Sequence, residues 1–307
     1  MIRLARSELL RIRSRRLVWI LTILFLVGIG VGVGIGSVKS HKPTAVEIAQ
    51  ADRQFARSSR ACLHGQVIKE GQLPAGQTLE TWCAANVLRS DYIVYSGDTV
   101  LQLSGLADML KGTSVLLVVI GVVIGASSVG ADWQTGSLAT LLTWEPRRIR
   151  VLLTRVAIVM VVVFLLALFL QAALSLAMAA GSALRGISIT PPGFYSDVVR
   201  VILRVGAVAA VASVIGVSIS SIGRSTAASL GVIFVYLALM ESLLRGLVPR
   251  FEPWLLSVNL LAVVDGRAQF LDRGRVVSLS HGVTTVGAYA VCLLVLALVF
   301  FRARDVN

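Results

Sequence analysis

Residues 151–181 read VLLTRVAIVMVVVFLLALFLQAALSLAMAAG, a run interrupted by a single charge, Arg155. A helix crosses about 30 Å of hydrocarbon in about 20 mainly apolar residues, so this stretch is long enough to span a bilayer. The same ruler applied outward finds five more runs: Leu17 to Ser37, Met109 to Val129, Val198 to Ser220, Thr226 to Leu244 and Val283 to Arg302. Composition agrees, with 56% of the 307 residues hydrophobic, 15% charged and a mean hydropathy of +0.83, well outside the range of a soluble globular domain. The expected fold class is an all-α polytopic membrane protein with six transmembrane helices.

The net charge of +13 would point to nucleic acid if it were gathered on one soluble face, but it is spread along the chain in register with the spans, and no nucleic-acid partner is expected. Arg3, Arg6, Arg11, Arg13, Arg15 and Arg16 precede the first run. Arg147, Arg148, Arg150 and Arg155 stand at the junction of the second and third, Arg224 between the fourth and fifth, and Arg302 and Arg304 at the end of the sixth. If all six runs cross, these arginines share one side, the positive-inside pattern. A plasma membrane location with both termini cytoplasmic follows. Residues 39–108 carry seven basic and seven acidic residues, a balance that suits the outer face.

The expected organisation is a cytoplasmic amphipathic helix over 1–16, a first span over 17–38, an extracytoplasmic cap over 39–108, and five further spans over 109–307. Ile2, Ala5, Leu9 and Ile12 recur at helical spacing among arginines, the pattern of a helix lying in the interface against anionic lipid; the alternative is an unstructured basic tail. The first run is too long for a cleaved signal peptide and lacks a small-x-small site after Ser37, so it reads as a retained anchor. It ends in GIGVGVGIG, where Gly28, Gly32 and Gly36 share a helical face that lets another helix approach closely. A nucleotide-binding reading of these glycines would require a strand before and a helix after them on one side of the membrane.

Within the cap, Cys62 and Cys83 are expected to form a disulfide, since no further Cys or His accompanies them at metal-ligand spacing. Helices are expected over Thr44 to Ala61 and Thr78 to Leu88, making the cap small and mainly helical. Cys292, in the last run, reads as inert packing. The loop over 245–281 contains FEPWLLSVNLLAVVDG, in which Trp254 suits an interface and Leu255 to Val264 is too short to span; a re-entrant or interfacial helix between spans five and six fits.

Catalytic constellations are missing from the sequence. The histidines, His41, His64 and His281, form no ligand motif, and no HExxH or GxSxG pattern is present. None of the lysines, Lys39, Lys42, Lys69 and Lys111, stands in a phosphate-binding loop. The chain is therefore read as no enzyme, and ATP hydrolysis would have to come from another chain. Gln171, Arg204 and Glu241 are polar candidates inside spans, where such groups are costly. Arg245 stands one turn beyond Glu241 as its expected partner, Arg204 is close enough to the outer end to snorkel, and Gln171 suits an interhelical hydrogen bond or a substrate contact.

The remaining informative stretch is the 130–150 loop, GADWQTGSLATLLTWEPRRIR. Thr135 is placed to cap a short helix, GSLATLL, with Leu138, Leu141 and Leu142 as its apolar stripe and Pro146 as its stop. Such a helix suits a groove on a soluble partner; the alternative is an interfacial helix with ordinary positive-inside arginines. The order acidic-Trp-x-x-Gly-Ser/Thr-Leu, then LL-T-x-x-Pro-Arg-Arg, then a basic residue opening the next span, resembles the cytoplasmic loop of type-2 ABC transporter permeases. The matching residues are Asp132, Trp133, Thr135, Gly136, Ser137, Leu138, Leu141, Leu142, Pro146, Arg147, Arg148 and Arg155. Two departures stand out: Asp132 occupies a position where glutamate is common, and the cap is larger than in simple exporters of the class.

The resemblance implies a permease subunit that forms a homodimer and binds two copies of a separate ABC ATPase, with ATP and Mg held by that partner. The interface helix and the loop would receive the ATPase stroke. Export of a lipid, drug or peptide across the cytoplasmic membrane is the implied direction. The alternative function is a membrane scaffold or sensory subunit using the cap to bind a ligand; an intramembrane enzyme is disfavoured by the missing catalytic groups.

Overall fold

The computed structural model describes residues 2–40, 42, 44–67, 78–87, 89, 92, 101–137, 147–186, 190, 193–271 and 275–303, with residues 2–5, 148 and 270 as backbone alone. Six helices are long and apolar enough to cross a membrane: Arg16–Lys39, Leu103–Gln134, Ile149–Arg185, Phe194–Gly223, Thr226–Leu247 and Leu279–Ala303. Helices are the expected solution, because in hydrocarbon every backbone N–H and C=O must find its partner within the segment. The helix Ile2–Ser14 precedes the first span, separated from it by Arg15. The architecture is all-α, and among the described residues the one departure is a two-residue antiparallel ladder pairing Gln269 with Val277 and Phe270 with Val276.

The chain divides into two compact units: Met1–Leu26 with Ala107–Ala173 and Tyr195–Asn307, and Val27–Leu106 with Leu174–Phe194. In the first unit the second and fourth spans are the core. Their most apolar stretches are 67% and 61% buried, against 11% for the fifth span and 22% for the sixth. Close helix crossing explains the difference. A side chain at Gly125 would place its Cβ 2.1 Å from the Ser213 carbonyl oxygen, and one at Gly121 would lie 2.4 Å from that of Ala209. The small-residue contact that membrane helices use is therefore here, between spans two and four. In the first span Gly36 meets Leu101, while Gly28 and Gly32 have nothing within 4 Å among the described residues of this chain.

The short connection between spans four and five turns at Arg224, whose φ of 53° is left-handed. Ser225 then caps the fifth span by accepting from the Ala228 amide. After the fifth span, a 3-10 turn Pro249–Trp254 leads into the helix Leu256–Asp265. Ten residues of helix reach about 15 Å, half a bilayer. Asn259 anchors it from inside, donating to the carbonyls of Pro253 and Leu255 at 2.8 and 2.7 Å, with its Oδ1 3.2 Å from His281 Nδ1. Gly266, at φ 65°, ends it.

The second unit holds the cap helices Ala45–Leu63 and Leu79–Asn86, each opened by a threonine capping box. A disulfide joins Cys62 to Cys83, with Cα atoms 6.0 Å apart. Ser40 ties the chain ends of this unit together, donating to the Arg185 carbonyl at 3.1 Å and accepting from the Leu101 amide at 2.7 Å. Cys292 is exposed on the sixth span, so the expectation of a packed thiol does not hold.

Candidate functional site

The ends of six helices meet in the first unit: the helix Ile2–Ser14, the last turns of the second span, the start of the third, the end of the fourth and start of the fifth at the turn between them, and the end of the sixth. These are the ends that the arginine pattern assigns to the cytoplasm.

Arg155, only 1% exposed, is the hub. Its guanidinium donates to both oxygens of Glu8 at 2.9 and 3.2 Å, lies 2.9 Å from Asp132 Oδ2, and donates to the Ser128 carbonyl at 3.3 Å. Asp132 also accepts from Arg11 at 3.0 Å and from Arg15 at 2.8 Å. Arg15 donates in addition to the carbonyls of Ser127 and Ser128, in the penultimate turns of the second span. Burial pulls the Arg15 guanidinium below its usual value, and Asp132 works against that pull. A buried arginine becomes tolerable when its donors are all met by carboxylates and carbonyls.

Next to this network the Trp133 ring stacks under Arg224, with the guanidinium carbon 4.6 Å from the ring centroid, and meets the Phe301 ring edge-on at 6.1 Å. Gly130 is needed beside it, because a Cβ there would lie 2.4 Å from Thr226 Oγ1. Asp132 and Trp133, expected at a docking loop, thus face inward and fix the base of that loop.

Thr135 is expected to cap the GSLATLL helix, whose residues beyond Ser137 lie outside the described ones. Its hydroxyl donates back to the Ala131 carbonyl at 3.1 Å, closing the second span, and Gly136 turns the chain at φ 69°. Leu138, Leu141, Leu142 and Pro146, with the GSLATLL helix, lie outside the described residues. Arg147 is exposed just before the helix that Arg148 opens.

The intramembrane candidates each find a partner within the protein. Gln171 donates to the Leu110 carbonyl at 3.2 Å, the interhelical bond. Arg204 donates to the Asp265 carbonyl at 3.4 Å and packs against Gly266 at the end of the short helix. Glu241 accepts from the Ser257 amide at 3.0 Å, while its expected partner Arg245 reaches Glu252 at 4.0 Å. The helix N-terminal end of 256–265 recruits the carboxylate that i+4 spacing assigned to arginine.

The apolar stripe read from the sequence of the interface helix includes Ile12 but not Glu8. Glu8, 3% exposed, and Ile12, 3% exposed, form the inward face of the interface helix, whereas Leu9 is 48% exposed. The available signal was that Glu8 is the sole acid before Glu47. Among the described residues no three His, Cys, Asp or Glu side chains gather to hold a metal. Residues 2–306 match the family described as ABC-2 family transporter protein. No curated protein sequence matches the chain.

Proposed function

The chain belongs to the ABC-2 family of transporter proteins, and from that premise we propose that it is the permease subunit of an ATP-binding cassette exporter, a homodimer carrying two copies of a separate ATPase. The observation that carries the coupling role is the convergence on Arg155 of the interface helix and both ends of the 130–150 loop. A segment buttressed at both ends can receive force from a docked ATPase and pass it into spans two and three. ATP and Mg belong to that partner, and this chain carries no covalent step.

Leu138, Leu141, Leu142, Arg147 and Arg148 are the contacts proposed for the ATPase, with Thr135, Gly136 and Pro146 setting the turns around them. The open backbone at Gly28 and Gly32 and the sparse cover of the fifth span support a second copy beside this one. The cytoplasmic membrane, outward transport and an amphipathic lipid, drug or peptide as cargo complete the reading. The cap over 39–108 and the helix Leu256–Asp265, as a re-entrant element, would face the outer side. Native mass spectrometry of the tagged chain purified from its own membrane tests the assembly: a complex of two permeases with two ATPases is expected, and a monomer without ATPase would reject it.

A further inference from the structure

Every other charge on the helix Ile2–Ser14 is an arginine, yet its single carboxylate, Glu8, is the one turned inward and buried. Burying a carboxylate is costly unless it is paired and hydrogen-bonded. Glu8 is held bidentately by one guanidinium edge of Arg155, Nε and Nη2, and has Arg11 at 3.7 Å. Arg155 is shared with Asp132, which in turn holds Arg11 and Arg15.

Of the five charged groups, each carboxylate lies among guanidinium groups: Glu8 between Arg155 and Arg11, and Asp132 among Arg11, Arg15 and Arg155. The interface helix, the end of the second span and the start of the third cannot separate without leaving a buried charge alone. Arg11 and Arg15 bind the same helix to Asp132 from its other edge, but only Glu8 reaches across to the third span in this network.

We infer that Glu8 is a positioning residue, which joins the interface helix to the third span so that the helix and both ends of the 130–150 loop move as one body during the transport cycle. The cycle rests on the permease reading; the lock itself does not. A surface arginine pair at the helix would slide under load, whereas a bidentate buried pair transmits it.

Amide hydrogen exchange of the purified permease–ATPase complex tests this with Glu8→Gln and the conservative Glu8→Asp. Without nucleotide, exchange of residues 8–14 is expected to rise about tenfold in Glu8→Gln, as a charge-assisted pair is lost from local opening, and to stay within about threefold of wild type in Glu8→Asp, which keeps the carboxylate. With a non-hydrolysable ATP analogue, segments 2–14 and 148–156 are expected to respond together in wild type and Glu8→Asp. In Glu8→Gln the two responses should part, one falling below about a third of its wild-type size. Unchanged exchange of 8–14 in Glu8→Gln would overturn the lock. Loosened exchange with a joint response intact would overturn the transmission role. A wild-type complex without ATPase, or without any nucleotide response, would defeat the permease reading and the transmission role with it, and the nucleotide-free arm would still decide the lock.

Discussion

Replacing Arg155 by methionine keeps a long apolar stem in the site and removes the guanidinium. Removing one partner of a buried ion pair costs about 3–5 kcal/mol, chiefly because the other charge is left alone. Asp132 is not left alone here, since Arg11 and Arg15 remain at 3.0 and 2.8 Å. Glu8 is, because its other cation, Arg11, stands at 3.7 Å with a side chain 35% exposed. The loss therefore falls on one carboxylate, and the lower end of the range, about 3 kcal/mol, is expected. Adding Glu8→Gln to Arg155→Met removes the stranded charge and should return about 2 kcal/mol, so the two substitutions couple strongly. Reversible unfolding in mixed micelles of the wild type, the two single variants and the double variant closes the cycle. Additivity within about 0.5 kcal/mol would mean that the pair does not interact and would refute the reasoning.

In protein kept oxidised, Cys62 and Cys83 resist alkylation until reduced; opening the loop of 21-residue separation should lower the stability of the cap by about 3 kcal/mol in the chain-entropy model, read as the shift in cap unfolding monitored at the cap's tryptophan, Trp82. Gly125→Leu forces spans two and four apart and should cost at least about 2 kcal/mol by overpacking, whereas Gly28→Leu, with open space around it, should leave the unfolding midpoint of the isolated chain unchanged. Arg89 donates to Asp52 and holds its carboxyl below the ordinary value. Its depressed folded value means that the pair's contribution is present above the free carboxyl value of about 4 and lost as pH falls through the lower folded one; Asp52→Asn should flatten that acid-side slope in cap unfolding curves.

What was legible follows from what is local. Apolar runs set the spans to within a few residues, because one-dimensional hydropathy is what a bilayer reads; Thr226 was placed as the first residue of the fifth span and is so. Cys62 and Cys83 could be paired because no other cysteine lay in the segment. The buried network around Arg155 is not legible in the same way. Arg155 stood in one series with Arg147, Arg148 and Arg150 and looked like them, yet its partner lies 147 residues away in sequence. Glu8 is not marked by the apolar stripe of its helix, of which Ile12 is buried and Leu9 is 48% exposed. Likewise the eye-catching glycines of the first span are mostly open, while the isolated Gly121 and Gly125 make the close contact. Spacing reports a face, and only the neighbour across that face decides what it is for.

The central claim is that the 130–150 loop is the socket of a separate ATPase. Its direct test is affinity purification of the tagged chain carrying Leu141→Asp, Leu142→Asp, Arg147→Glu and Arg148→Glu, with ATP hydrolysis and stain intensity of the ATPase band measured beside the wild type in equal amounts of folded permease. The account predicts that ATPase binds the wild type and falls to less than about a tenth of that level in the variant, as loss of an apolar and charged hot spot requires. Equal ATPase on both would contradict it.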